Sequence, residues 1–147
     1  MEFMPDNTVV QRGSTEHSTG DIEVTMIDVD PDTARPVVGA VRFAPRARTA
    51  WHRHVAGGQT LYCTDGEALV GTRGAAALLR PGDVVHAPAG EWHWHGAGAA
   101  SRGCFVTLTE REVDPEAPYV IWGDPVTDDE YDEALRVARP APVAPAR

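Results

Sequence analysis

Four of the six histidines fall in two close pairs, His52 with His54 and His93 with His95. On a β-strand, residues two apart project to the same face, so each His-x-His pair presents two imidazoles side by side. Imidazole is a good ligand for divalent transition metals, and its neutral ring accepts protons near physiological pH. Gln59 follows the first pair on what reads as the next strand, within reach of the same interior. His95 shares the parity of His93 and is expected to face inward too. There it would serve as a further metal-side group, a proton shuttle or a hydrogen-bonding partner of a neighbouring strand. Arg48 shares the parity of His52, which puts it at the cavity mouth to hold an anionic or enolate oxygen, with a surface ion pair as its alternative fate. His86 alternates with Val85 and Ala87 and reads as facing away, while His17 reads as a surface histidine without a role. Trp51, Trp92 and Trp94 have the opposite parity to the histidines, which assigns them to the outer face or a dimer interface.

Side chains so placed require strands, and from Asp21 the chain supplies them. Short apolar segments such as VVGAVRF, QTLYCT, DVVHAP and GCFVTLT are separated by Asp30-Pro31, Asp65-Gly66, Arg73-Gly74 and Pro81-Gly82. Many closely spaced short strands predict an all-β sandwich or barrel and not a βαβ fold. Asp65-Gly66 between two apolar runs predicts a tight hairpin, because both residues tolerate positive φ. Val41, Phe43, Leu61, Cys63, Phe105 and Thr107 are expected to wall the interior. One helix is expected at the C-terminal end. Thr127-Asp128-Asp129-Glu130 is a capping box, Arg136 and Arg139 favour the negative end of the helix dipole, and Pro140 stops the helix. It reads as a lid on the barrel or a dimer contact. Residues 1–20 read as a flexible arm, 21–140 as a single domain and 141–147 as a Pro/Ala tail.

Taken together, the two histidine clusters resemble the cupin superfamily, whose motifs run G-x5-H-x-H-x3,4-E-x6-G and G-x5-P-x-G-x2-H-x3-N. The first is carried here by His52, His54, Gln59 and Gly66, the second by Gly82, Pro88, Gly90 and His93. Arg46 stands at the first glycine, Gln59 at the glutamate and Ala97 at the asparagine. The resemblance implies a cupin jelly-roll, a homodimer, and one divalent metal ion held by His52, His54, Gln59 and His93. Zinc is favoured, with manganese or iron as alternatives. A neutral carboxamide in place of a carboxylate leaves the ion's charge uncompensated and strengthens it as a Lewis acid. Residues Ala47 to His52, Gly58 to Leu61 and Gly90 to Gly96 are most similar to small bacterial cupins that include manganese-dependent hydroxynitrile lyases, and they also resemble cupin cyclases of aromatic polyketide pathways. In the lyases a further strand histidine is understood to act as base, and its place falls here near Phe105. The resulting expectation is a non-redox enzyme acting on an apolar carbonyl compound, foremost a polyketide cyclase, with His95 and Arg48 as catalytic residues. The alternatives are a hydroxynitrile lyase, an iron or manganese dioxygenase, or a non-catalytic small-molecule-binding cupin.

Composition narrows the field independently. The 147 residues include 13 cations against 22 Asp and Glu, a net charge of −9, which disfavours nucleic acid and anionic membrane surfaces. All 13 cations are arginine, so Schiff-base, pyridoxal and P-loop lysine chemistry is excluded. The two cysteines, Cys63 and Cys104, sit in apolar runs and read as small buried hydrophobes of a reducing compartment. No basic-then-apolar leader and no apolar run of roughly 18 residues is present, so a cytoplasmic location is expected. The partner implied is a hydrophobic small-molecule substrate.

Overall fold

Period-two burial governs the strands. In VVGAVRF, Val37, Gly39, Val41 and Phe43 are buried while Arg42 between them is exposed. A computed structural model describes residues 10–27, 36–110 and 117–140. The expected tail at 141–147, the first nine residues of the expected arm and the Asp30-Pro31 break lie outside the described residues.

The chain begins with β1 (Val10–Arg12), β2 (Ser18–Thr19), β3 (Ile22–Met26), β4 (Val37–Phe43) and β5 (Arg48–Thr49). Then come β6 (His52–His54), β7 (Gln59–Gly66), β8 (Ala68–Thr72), β9 (Ala76–Leu79) and β10 (Val84–Ala87). It ends with β11 (His93–Ala97), β12 (Gly103–Thr109), β13 (Val120–Trp122), α1 (Asp128–Val137) and β14 (Arg139–Pro140). The strands form two sheets, a six-stranded one in the order β1-β3-β4-β12-β7-β10 and an eight-stranded one built along β13-β6-β11-β8-β9-β14. Two sheets facing each other across a shared core make the all-β jelly-roll that the sequence predicts. Ile22, Val41, Phe43, Leu61, Cys63, Val70, Leu79 and Phe105 fill the space between them.

Three expectations are corrected. Asp65-Gly66 is not a hairpin turn, because β7 belongs to the six-stranded sheet and β8 to the eight-stranded one. Gly66 has φ +73°, and a Cβ there would collide with the Arg102 carbonyl, so the dipeptide makes the corner where the chain changes sheets. The described part of the arm, read from its lack of period as having no strands, contains two. β1 pairs antiparallel with β3, and β2 with β5. Edge pairing uses backbone groups, so a polar sequence without period joins a sheet as readily as an apolar one. Finally, Arg139 lies beyond the helix, in β14, which pairs parallel with β9.

The helix itself follows the capping signal. Glu130 N–H donates to Thr127 Oγ1 at 3.2 Å, and Thr127 N–H donates to the Glu130 carboxylate at 2.9 Å. It packs Tyr131 and Ala134 onto Trp51, Leu69 and Trp94, forming a second apolar cluster on the outer face of the eight-stranded sheet. The tryptophans therefore do face outward, but the helix covers two of them. Gly71 makes room for the Trp94 indole, which any β-carbon there would strike. β11 is thus buried on both faces, with histidines inward and Trp94 under the helix. Among the described residues no helix is long and apolar enough to cross a membrane.

Candidate metal centre

β6 and β11 lie side by side with His52 opposite His93, so the two His-x-His pairs converge from adjacent strands. Ring centroids are 4.3 Å apart for His52 and His93, 5.3 Å for His52 and His54, and 5.1 Å for His52 and His95. One ligating nitrogen each of His52, His93 and His95 lies within 4.8 Å of the others. Gln59 enters from the opposite sheet at the start of β7, with Oε1 3.1 Å from His93 Nε2. The Arg46 backbone explains the motif's first glycine: Arg46 has φ +66°, the left-handed conformation that glycine adopts without strain. The turn it makes leads directly into β5 and β6.

Backbone carbonyls set the tautomers. His52 Nδ1 donates to Ala50 O at 3.0 Å, His54 Nδ1 to Tyr119 O at 3.2 Å and His93 Nδ1 to Glu91 O at 3.0 Å. A carbonyl only accepts, so each neutral ring carries its proton on Nδ1 and keeps a lone pair on Nε2. His54 Nε2 is buried without a hydrogen-bond partner. The Gln59 carboxamide nitrogen donates to Thr109 Oγ1 at 3.1 Å, which turns Oε1 toward His93 Nε2. Two acceptors facing each other in a dry interior repel unless a cation lies between them. The donor set fits a divalent ion, with the carbonyls supplying the outer hydrogen bonds typical of ligating histidine.

Desolvation keeps these rings neutral. Burial, aided by His93 and His54, lowers the His52 pKa to about 3, and burial with His93 lowers that of His54 to about 4. Burial also lowers His93, and it puts His95 well below the usual histidine range. His95 differs from the other three in its hydrogen bonding. Its Nδ1 is buried without a partner, its backbone N–H donates to Thr49 Oγ1 at 3.1 Å, and Phe43 and Phe105 pack edge-on against its ring.

These residues open onto a cavity of about 240 Å³ between the sheets. His52, His54, Gln59 and His95 line its polar side, and Ile22, Val24, Val37, Val41 and Phe43 line the apolar side. Of the residues expected to wall the interior, Val41, Phe43 and Thr107 line the cavity. Leu61, Cys63 and Phe105 fill the core instead. Burial pushes the Cys63 thiol up to about 11 and raises Cys104 too, so neither offers a thiolate.

Arg48 does not reach the cavity. Its guanidinium is buried on the far side of the sheet, donating to Val126 O at 3.1 and 2.9 Å, to Arg46 O at 3.2 Å and to Asp128 at 2.7 Å. Parity was misleading here because β5 and β6 are separate strands with Ala50 and Trp51 between them. Arg48 ties the start of α1 to the sheet. Arg48→Ala is expected to destabilise the fold by about 1–3 kcal/mol in urea denaturation, from the unsatisfied Val126 carbonyl, while leaving metal content and turnover unchanged. His86 is exposed on β10 and hydrogen-bonds Thr60 at 3.0 Å, away from the site.

Sequence reasoning missed the rim. His17, Tyr119 and Trp122 line the cavity mouth, with His17 stacked on Trp122 at 4.4 Å and 3°. Tyr119-Val120-Ile121-Trp122 is an aromatic, β-branched run that carried the signal of a strand. Thr49 and Thr109, which orient His95 and Gln59, have no such signature.

Residues 39–107 match the Cupin domain family. The chain is 38% identical over 121 residues to a protein of Granulicella tundricola named (R)-mandelonitrile lyase, covering 82% of this chain and 89% of that one. It is similar to a solved cupin-like protein of Thermotoga maritima, with a TM-score of 0.77 and 33% identity over 90% of this chain and 97% of that one. A cupin 2 conserved barrel domain protein of Rhodopseudomonas palustris shares the fold at a TM-score of 0.65 and 16% identity, over 87% of this chain and 83% of that one. The match to the Cupin domain family, and relatives 38% and 33% identical over most of the chain, show that the chain belongs to the cupin superfamily.

Proposed function

We propose that this protein is a metal-dependent lyase that cleaves a small aromatic cyanohydrin to an aldehyde and hydrogen cyanide. The observation that carries this reading is one cavity lined by His52, His54, Gln59, His95 and an apolar wall, in which His52, His93 and His95 bring nitrogens together and His95 Nδ1 is buried without a partner. The relative named (R)-mandelonitrile lyase supports it. At about 240 Å³ the cavity is smaller than the roughly 300–1,000 Å³ of pockets for drug-sized ligands. That size suits one aromatic ring with its carbonyl carbon better than the long poly-β-ketone required by the cyclase expectation.

His52, His54, Gln59 and His93 would hold the ion, whose Lewis acidity polarises an oxygen placed beside it. The protein does the rest. Val24, Val41 and Phe43 pack the aryl ring and exclude water, leaving the hydroxyl directed at the histidines. His95 takes the hydroxyl proton. The bond to the nitrile carbon breaks with its electron pair on cyanide, and the oxygen becomes the aldehyde carbonyl. His95 stands in for the base that Phe105 cannot be, with its Nδ1 buried and without a hydrogen-bond partner.

The test is release of benzaldehyde from mandelonitrile by protein loaded in turn with zinc, manganese or iron. An unchanged rate without oxygen separates this reaction from a dioxygenase. His95→Gln is expected to keep the metal and lower kcat by about 10²–10⁴-fold, the usual share of a general base, whereas His54→Ala should lose the metal. If His95→Gln empties the site instead, His95 is a ligand and the assignment of base fails. No benzaldehyde from any loaded form would end the lyase reading.

A further inference from the structure

We infer that His17, on the strap formed by β1, β2 and the loop between them, is a second acid–base residue of the cavity and protonates the departing group at its mouth. This inference rests on the lyase reading. His17 lies 35 residues before the first ligand (52 − 17 = 35) and outside both motifs, yet its ring lines the same cavity as His52, His54, Gln59 and His95.

Its position is fixed from two sides. Ala50 N–H donates to His17 O at 2.8 Å, and Ala50 O accepts from His52 Nδ1 at 3.0 Å, so one residue bridges the strap to a ligand. On the other side the imidazole lies flat on Trp122, whose ring is 5.0 Å from that of His52. Trp122 is itself held opposite His52 by the pairing of β13 with β6. The strap is closed at its ends by Gly13 N–H on Ile22 O at 2.8 Å and by the β2–β5 pairing. Stacking on Trp122 fixes the plane of the His17 ring. A surface histidine without a role has no reason to be anchored this way.

Two imidazoles lining one cavity, His95 buried and His17 stacked on the exposed Trp122, match what cyanohydrin cleavage needs. His95, at the floor, takes the hydroxyl proton. Cyanide leaves toward the mouth carrying the bonding pair and takes a proton from His17 to depart as neutral hydrogen cyanide. His17 regains a proton from solvent and His95 releases its own as the aldehyde leaves, so the cycle neither gains nor loses electrons.

His17→Phe keeps a ring on Trp122 and removes the proton. It is expected to lower kcat for mandelonitrile about 10²-fold with KM, metal content and melting temperature unchanged. His17→Ala should behave alike and recover part of its kcat when imidazole is added, which a purely structural role would not allow. Wild-type kcat in His17→Phe overturns the proton role. Contact with ligand is read separately, by NMR of the His17 ring protons during titration with benzyl alcohol into metal-loaded protein. A shift is expected, and its absence overturns the placement of His17 against substrate whatever the activity. No turnover by loaded wild type overturns the lyase reading and the proton step with it, while contact still stands or falls on the NMR shift.

Discussion

Replacing His93 by alanine is expected to empty the metal centre and abolish turnover while the jelly-roll still forms. His93 is the least exposed of the four histidines: it is fully buried, its ring sits 4.3 Å from that of His52 and 5.6 Å from that of His54, and its Nε2 faces the Gln59 oxygen. It does not line the cavity, so its loss removes a ligand without altering the surface that substrate touches. Substituting outer-shell partners of a metal site costs about 10–100-fold in affinity or activity, and removing a ligand should exceed that. Elemental analysis should therefore show near-stoichiometric metal in wild type and almost none in His93→Ala. A thermal scan gives an independent measure. At one hundred times its dissociation constant, a bound ion stabilises by about 2.7 kcal/mol, a shift the variant should lack. A His93→Ala protein that retains metal would mean that the ion, if any, sits elsewhere.

The histidine pairs were legible because a strand's period is two and nothing in the interior breaks it. Gln59 was legible only through its register, since a buried glutamine has many structural uses; Thr109 gives it this one by holding its amide nitrogen. Arg48 shows where parity stops. A count of residues does not carry across the break at Ala50 and Trp51, and a buried guanidinium goes where carbonyl oxygens are, here Val126 and Arg46. The Asp65-Gly66 corner has the local chemistry of a hairpin, but which sheet each flanking strand joins is decided by packing many residues away. The strap was illegible for a related reason. β1 and β2 bury little side chain and are held through backbone hydrogen bonds, which polar composition neither announces nor forbids. Sequence alone therefore gives His17 as a surface histidine without a role, although its stacking partner is a strand residue more than one hundred positions later.

Mild acid should unfold the metal-free protein. In an unfolded chain histidine titrates near 6.5. Folding depresses His52 to about 3 and His54 to about 4, chiefly by burial, and lowers His93 and His95 as well. Above about pH 7 both states hold these rings neutral and no stability is lost. As pH falls below 6.5 the unfolded chain takes up protons that the folded one refuses, so the folded state loses stability down to the folded pKa values. Each depressed histidine withdraws about 1.4 kcal/mol per pH unit, so His52 and His54 together remove on the order of 5 kcal/mol between pH 6.5 and 4.5. That is comparable to the whole stability of a marginal domain, about 5–15 kcal/mol. Circular dichroism of chelator-treated protein should therefore show cooperative unfolding between about pH 4 and 5. Bound metal favours the same neutral rings through the folded state alone, which moves the transition of the loaded protein to lower pH until proton competition releases the ion. A signal that stays flat from pH 7 to 4 without metal would mean that the four imidazoles accept protons in place, and a cluster so hydrated could not present the dry, converging lone pairs on which metal binding depends.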